Sequence, residues 1–162
     1  MNKSGKSKSS KAWLKEHEDD LYVRQSRAEG YRSRAAYKLL ELHEKDRLFK
    51  PGMAVVDLGA APGGWSQVAA KLVQPGGMVL ATDILPMDTL EGVELIQGDF
   101  TEQSCYDALL ERLGERRLDL VISDMAPNIS GMAEIDQPRV MHLVELAVDF
   151  AESTLSPGGS LL

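Results

Sequence analysis

The stretch MAVVDLGAAPGGW, residues 53–65, decides the fold. Its first half, residues 53–58, is short, apolar and rich in β-branched side chains, which predicts a buried strand. The glycines that follow allow the backbone to approach a ligand closely before a helix begins at Trp65. A strand that passes through a glycine-rich turn into a helix is typical of an α/β domain.

The rest of the chain repeats this alternation of strand and helix. Further strands are predicted at residues 78–83, 93–97 and 118–123, and a fifth begins at 160–162. Helices are predicted at residues 11–28, 33–48, 65–73, 104–113 and 138–155. Alternating strands and helices predict an α/β fold with a mostly parallel sheet flanked by helices, in which ligands bind at the carboxyl ends of the strands.

The chain divides into three parts. Residues 1–10 are rich in Ser and Lys and poor in apolar side chains, which predicts a disordered basic arm. Residues 11–50 form a basic helical segment that ends at a break, Phe49-Lys50-Pro51-Gly52. Residues 51–162 form the α/β domain.

Charge is segregated along the chain. The formal net charge is −7, yet residues 1–50 hold 13 Lys and Arg against 8 Asp and Glu, and residues 51–162 hold 5 against 17. A basic segment on an acidic body can contact nucleic-acid phosphates while the body stays soluble. The other interpretation is a solvated basic extension without a partner, and charge alone does not choose between the two.

Composition excludes several classes of site. Cys105 is the only cysteine, which excludes an intramolecular disulfide and a cysteine-cluster metal site and favours a reducing compartment. His17, His43 and His142 lack the spacing of metal ligands, so we expect no metal. No apolar run is long enough to span a membrane, and residues 1–11 lack the apolar core of a secretory signal, so we expect a cytoplasmic protein.

Four predicted strands each end at an aspartate: Asp57, Asp83, Asp99 and Asp124. An acid after the second strand can accept both hydroxyls of a ribose, and Asp99 could accept from an adenine amino group. Any one of them is more often a turn former or a helix cap, but the four together favour a nucleoside site.

The glycine-rich turn matches neither of two common phosphate-binding patterns. The dinucleotide fingerprint would require glycine where Ala61 stands, and no Gly-Lys-Ser/Thr follows to form a phosphate loop. The predicted ligand is therefore a nucleoside with little negative charge.

These residues resemble the S-adenosylmethionine-dependent methyltransferases, and most closely the FtsJ/RrmJ (RlmE) family. The resemblance rests on Val55–Gln67, on Gly98-Asp99-Phe100 and on residues 123–128, SDMAPN. The stretches Arg32-Ser33-Arg34-Ala35 and Leu48–Gly52 also match the family. Nearly the whole chain beyond the basic arm is covered.

The resemblance implies a fold and a reaction. The fold is the Rossmann-like S-adenosylmethionine-dependent methyltransferase fold. The reaction is methylation of the ribose 2′-hydroxyl of a uridine in 23S ribosomal RNA, within the large ribosomal subunit, with S-adenosylmethionine as the cofactor. We expect a monomeric enzyme.

The resemblance also implies roles for individual residues. The residues implied to bind the cofactor are Gly63, Trp65, Asp83, Asp99 and Asp124, and those implied to bind RNA are Arg32, Arg34 and Lys38. Lys38 and Asp124 match the first lysine and the aspartate of the family's catalytic Lys-Asp-Lys-Glu group. The second lysine and the glutamate lie beyond Leu162 in the family pattern. We therefore expect a sheet without its C-terminal strands, a retained cofactor site and slow methyl transfer.

Two other functions remain open. One is a methyltransferase that acts on a protein or a small molecule, against which the basic N-terminal segment argues. The other is a noncatalytic RNA-binding module that retains a cofactor pocket. A nicotinamide oxidoreductase is disfavoured by Ala61.

The basic arm leads to a prediction about salt. Phosphate contacts release counterions, so deleting residues 1–11, with their four lysines, should weaken RNA binding and reduce the logarithmic salt slope by up to about three. Fluorescence anisotropy with a fragment of large-subunit RNA measures both quantities. The control replaces residues 1–11 with a neutral Gly/Ser segment of equal length and should behave like the deletion. An unchanged slope and affinity would make the arm a passive tail.

Overall fold

The computed structural model describes residues 21–125 and 130–162. Its strands are β1 (Ala54–Leu58), β2 (Met78–Asp83), β3 (Val93–Gln97), β4 (Leu118–Ser123) and β5 (Leu155–Leu161). Its helices are α1 (Ala35–Asp46), α2 (Gly64–Leu72), α3 (Gln103–Leu113) and α4 (Ala133–Thr154), and residues 21–28 are also helical. The predicted arm at 1–10, residues 11–20 of the first predicted helix and residues 126–128 of the SDMAPN stretch lie outside the described residues.

The five strands form one parallel sheet in the order β3-β2-β1-β4-β5. All five residues of β1 are buried, as expected of a central strand in a sheet with both faces covered. The chain moves from β1 outward to one edge and then returns to the other side of β1. This reversal creates a crevice at the carboxyl ends of β1 and β4, where ligands bind in open α/β sheets. The predicted fold class is confirmed.

Apolar side chains cover both faces of the sheet. On one face, α3 and α4 contribute Leu109 and Phe150, and Phe150 packs edge-on against Phe100. On the other face, α1 and α2 contribute Leu39 and Val68. Burial of these side chains, at roughly 25 cal/mol per Å² of apolar surface, holds the layers together.

Two predicted boundaries at the C-terminal end are wrong. The last helix begins at Ala133 rather than at 138, so Pro138 lies inside it and cannot donate to the carbonyl four residues earlier. Acidic residues in its first turn, Glu134 and Asp136, favour the earlier start through the helix dipole. The fifth strand begins at Leu155 rather than at 160, and an irregular register at Pro157-Gly158-Gly159 separates its two paired ends.

The buried face of α4 also differs from the sequence pattern. The apolar stripe predicted for this helix consists of Val140, Leu143, Val144, Ala147, Val148, Ala151 and Leu155. Its three valines are exposed, whereas Ala147 and Ala151 are buried together with Phe150, which the stripe did not include. A helical period identifies an apolar stripe, but packing determines which part of it meets the sheet.

β1 carries a buried carboxyl group, Asp57, which is 1% exposed. Ser66 Oγ donates to Asp57 Oδ2 over 2.7 Å. Burial raises the pKa of Asp57 to about 7; the Ser66 hydrogen bond lowers it, and the nearby Asp124 and Asp83 raise it further. This carboxyl group therefore takes up a proton close to neutral pH.

The raised pKa of Asp57 predicts that the fold loses stability as pH rises. The pKa of an aspartate in an unfolded chain is about 3.9, whereas in the folded chain the pKa of Asp57 is about 7. The folded state binds more protons between these values, so the contribution of Asp57 to the free energy of unfolding falls across that range. Asp57→Asn keeps an oxygen that accepts from Ser66 but has no carboxyl group to titrate. The free energy of unfolding of this variant should therefore lack the decrease, on the order of a few kcal/mol, that Asp57 causes across this pH range.

Urea unfolding at several values between about pH 4 and pH 8 measures this contribution. The free energy of unfolding of Asp57→Asn, relative to that of the unsubstituted chain, should increase as the pH rises. Asp88→Asn, at an exposed position, is the matched control and should show a constant difference. A constant difference for Asp57→Asn as well would mean that the buried carboxyl ionises normally.

Candidate cofactor site and active site

A cavity of about 540 Å³ lies at the carboxyl ends of the strands, which is a common size for a small-molecule site. Residues at the carboxyl ends of four different strands line it: Gly59, Asp83, Asp99 and Asp124. The remaining lining residues are Ala61, Thr82, Ile84, Leu85, Gly98, Phe100, Thr101, Met125, Arg139, His142 and Leu143. The cavity therefore occupies the crevice that the sheet topology predicts.

The glycine-rich turn after β1 forms one wall. Gly59 has a positive φ of 75°, and a Cβ at this position would overlap Met125 Cγ. The amides of Gly59 and Ala60 both donate to Thr82 O, over 2.9 and 3.0 Å. The turn is thus fixed to the end of β2, with no side chain between its backbone and Met125.

Asp83 joins two walls of the cavity. Its Oδ2 accepts from the Ala61 amide over 2.9 Å, and its Oδ1 accepts from the Leu85 amide over 2.8 Å. The first bond reaches the glycine-rich turn, and the second fixes the start of the loop at residues 84–92. Each carboxylate oxygen has a second lone pair, so the group can still accept from the hydroxyls of a ligand.

Asp99 is held as a charged acceptor. Its Oδ1 accepts from Thr101 Oγ1 over 2.6 Å and from the Thr101 amide over 2.9 Å. These two hydrogen bonds hold the pKa of Asp99 below its usual value, against a small opposing effect of burial. The adjacent Phe100 supplies an apolar surface to the same cavity.

Lys38 and Asp124 meet at the edge of this cavity. Lys38 Nζ in α1 lies 3.6 Å from Asp124 Oδ1 and 5.7 Å from the centroid of the Trp65 ring. The two side chains are 63% and 51% exposed, so their ion pair adds little to stability. The pair places an ammonium group beside a carboxylate that also lines the cavity.

Two of the predicted cofactor residues lie outside the main cavity. Trp65 is 5% exposed, and its Nε1 donates to Ala35 O over 2.8 Å. It lines a smaller cavity of about 70 Å³, which shares Gly59, Ala61 and Asp124 with the larger one. Gly63 lines neither cavity; it precedes α2 with a positive φ of 112°.

The two predicted RNA-binding arginines differ in their surroundings. The Arg32 guanidinium donates to three backbone carbonyls, those of Pro62, Asp88 and Thr89. Arg34 is exposed directly before α1. The structure therefore brings Arg34 and Lys38 to the surface near the site and engages Arg32 in the protein itself.

Three residues of α4 were missed by the sequence analysis: Arg139, His142 and Leu143 all line the main cavity. Their spacing of three and four residues places them on one face of the helix. Asp136 fixes the approach to this helix because it accepts from the amides of Ser130 and Gly131 and from Ser130 Oγ. The Ser130 amide is the largest of the contacts that hold the pKa of Asp136 below its usual value.

Residues 21–125 and 130–162 contain neither a candidate metal cluster nor a candidate membrane span. No group of three or more His, Cys, Asp or Glu side chains there could hold a metal ion. No helix in those ranges is long and apolar enough to cross a membrane.

Comparison with known proteins identifies relatives of this chain. The sequence model of the FtsJ-like methyltransferase family matches residues 31–162. The ribosomal RNA large subunit methyltransferase E of Chromohalobacter salexigens is 65% identical over 156 residues, which are 96% of this chain and 74% of that protein.

Two solved structures share the fold. A ribosomal RNA methyltransferase from Plasmodium falciparum has a TM-score of 0.74 and 30% identity, over 81% of this chain and 76% of that one. The MycE methyltransferase of mycinamycin biosynthesis, solved with S-adenosylhomocysteine (SAH) and Mg, has a TM-score of 0.52 and 22% identity, over 73% of this chain and 30% of that one. The family match and the relatives confirm the resemblance seen in the motifs: the chain belongs to the FtsJ-like methyltransferase family.

Proposed function

We propose that this chain methylates the ribose 2′-hydroxyl of a uridine in 23S ribosomal RNA, within the large ribosomal subunit, with S-adenosylmethionine as the methyl donor. One observation carries the proposal: a nucleoside-sized cavity lined by strand-end carboxylates has the Lys38–Asp124 pair at its edge. The name of the Chromohalobacter relative supports the choice of RNA and subunit. We expect the protein to act as a monomer in the cytoplasm.

The polar groups of the cavity fit this cofactor. Asp83 accepts from the two ribose hydroxyls, and Asp99 accepts from the adenine amino group beside Phe100. Gly59 leaves space along the turn, and Asp124 lies where a cationic sulfur is stabilised. The MycE structure, whose fold is similar, contains the demethylated form of the same cofactor. Trp65 and Gly63 support the glycine-rich turn in this arrangement.

Lys38 and Asp124 orient the hydroxyl that is methylated. When bound, the cofactor would supply an electrophilic methyl group, whose bond to sulfur breaks as the bond to the 2′-oxygen forms. The proton of the 2′-hydroxyl would pass to solvent, which reaches the exposed Lys38–Asp124 pair. The Lys38 ammonium has three donors and forms an ion pair with Asp124 at 3.6 Å, beyond hydrogen-bond distance, so its donors can bind the 2′-oxygen and direct its lone pair at the methyl carbon. Positioning of this kind contributes up to about 7–11 kcal/mol in favourable cases. Arg34 and the basic segment around it hold the RNA backbone.

The assignment of Asp83 predicts a loss of cofactor affinity. Asp83→Ala removes the ribose acceptor and releases the amides of Ala61 and Leu85. Binding of S-adenosylmethionine should weaken by about 1–3 kcal/mol, a typical cost for unpaired polar partners. Isothermal titration calorimetry measures it. Asp88→Ala, which removes the same charge from an exposed position in the loop that follows, should bind normally. Unchanged affinity of a folded Asp83→Ala variant would contradict the assignment.

The assignment of Lys38 predicts a loss of rate with little change in cofactor binding. Lys38→Ala should lower methyl transfer to unmethylated large subunits by about a hundredfold, because the hydroxyl loses its alignment. Transfer is followed with a radiolabelled methyl donor, and the product is identified by mass spectrometry as 2′-O-methyluridine. Lys45→Ala, at an exposed position in the same helix, is the matched control and should retain the full rate. A base-methylated product, or transfer to protein alone, would contradict the proposed function.

A further inference from the structure

Arg32 uses its guanidinium to join two loops. Nη1 donates to Asp88 O over 2.7 Å and to Pro62 O over 3.3 Å, and Nη2 donates to Thr89 O over 2.8 Å. Pro62 belongs to the glycine-rich turn after β1, and the other two carbonyls belong to the loop at residues 84–92. Only a planar fork of several donors makes this set of contacts from one side chain.

The backbone of Arg32 is fixed by α2. The Arg32 amide donates to Gln67 Oε1 over 2.7 Å, and Gln67 Nε2 donates to Gly30 O over 3.0 Å. A Cβ at Gly63 would lie 3.4 Å from Arg32 Cδ, which shows how closely the side chain follows the turn. Arg32 is therefore held at both its main chain and its side chain.

The two joined loops are walls of the cavity. The residue before Pro62 is Ala61, whose amide is bound by Asp83. The loop at 84–92 begins with Ile84 and Leu85, which line the cavity although both are exposed. Arg32 donates to the carbonyls of Asp88 and Thr89, in the middle of this loop. Asp83 and Gln97 hold the start of this loop, and Arg32 holds its middle.

We propose that Arg32 is a positioning residue of the cofactor site and not a contact for RNA. It holds the loop at 84–92 against the glycine-rich turn, so that both amides bound by Asp83 stay in place. This inference rests on the proposed function, because it takes S-adenosylmethionine as the ligand of the cavity. It replaces the role that the sequence resemblance implied for Arg32.

Separate measurements of cofactor and RNA binding test the proposal. Arg32→Ala should weaken S-adenosylmethionine binding about tenfold by calorimetry. RNA affinity should change less than about twofold, and its salt slope should stay unchanged, because no phosphate contact is lost. Arg32→Lys should not restore cofactor binding, since a single ammonium cannot reach both loops as the fork does. Arg34→Ala is the matched control and should give the opposite pattern, a reduced salt slope with normal cofactor affinity.

A second variant and a second readout separate positioning from general damage. Gln67→Ala keeps the guanidinium but releases the Arg32 backbone, and should weaken cofactor binding about threefold. In Arg32→Ala, amide hydrogen exchange should accelerate at residues 84–92 and stay unchanged in α1.

Two results would overturn the proposal. In the first, Arg32→Ala reduces the RNA salt slope and binds the cofactor normally, which makes Arg32 a phosphate contact. In the second, the original chain and both the Arg32 and Gln67 variants bind the cofactor equally well, which removes the positioning role and leaves the proposed function intact. If the original chain itself bound no S-adenosylmethionine, the proposed function would fail first, and this inference with it.

Discussion

The rest of the structure depends on the parallel pairing of β1 between β2 and β4. Leu58 lies opposite Thr82 on one side and opposite Ser123 on the other, so all three strands end at the same level of the sheet. Asp83 and Asp124 therefore border the same crevice, next to the turn that follows β1. β3 extends this edge because the Gly98 amide donates to Asp83 O over 2.9 Å, which brings Asp99 alongside. The pairing of three strands thus assembles carboxylates that are far apart in sequence.

Several carboxyl groups at one edge of the sheet repel each other, and each is stabilised in a different way. Asp57 is buried and keeps its proton to about pH 7. Asp83 and Asp99 are bound by backbone amides, which stabilise negative charge. Asp124 has Lys38 as its neighbour. The resulting cavity retains acceptor oxygens and negative charge, and both suit a cationic ligand that carries ribose hydroxyls.

Local sequence patterns predicted most of the fold but only part of the candidate site. The strands at 78–83, 93–97 and 118–123 were predicted at their observed bounds, because short apolar runs between Gly- and Asp-containing turns have few alternatives. The strand-end aspartates followed from that alternation and from the rule that parallel strands end together. The pairing of Lys38 with Asp124 came from the family resemblance, and the structure brings the two side chains together.

The features that sequence analysis did not show depend on contacts between distant segments. The family resemblance implied an RNA-binding role for Arg32, and the structure adds that its guanidinium contacts carbonyls of two loops later in the chain. No local sequence pattern predicts contacts with carbonyl groups so far away in the chain. Similarly, the apolar stripe of α4 did not reveal that Arg139 and His142 face the cavity, since that depends on how the helix packs on the sheet.

The central claim is that the cavity holds the methyl donor with its sulfur facing Lys38 and Asp124. The most direct measurement is a crystal structure of this chain with SAH. The account predicts ribose hydroxyls within about 3.2 Å of the Asp83 carboxylate, the adenine beside Asp99 and Phe100, and the sulfur directed at the Lys38–Asp124 pair. A ligand bound outside the cavity, or one whose sulfur points away from that pair, would contradict it.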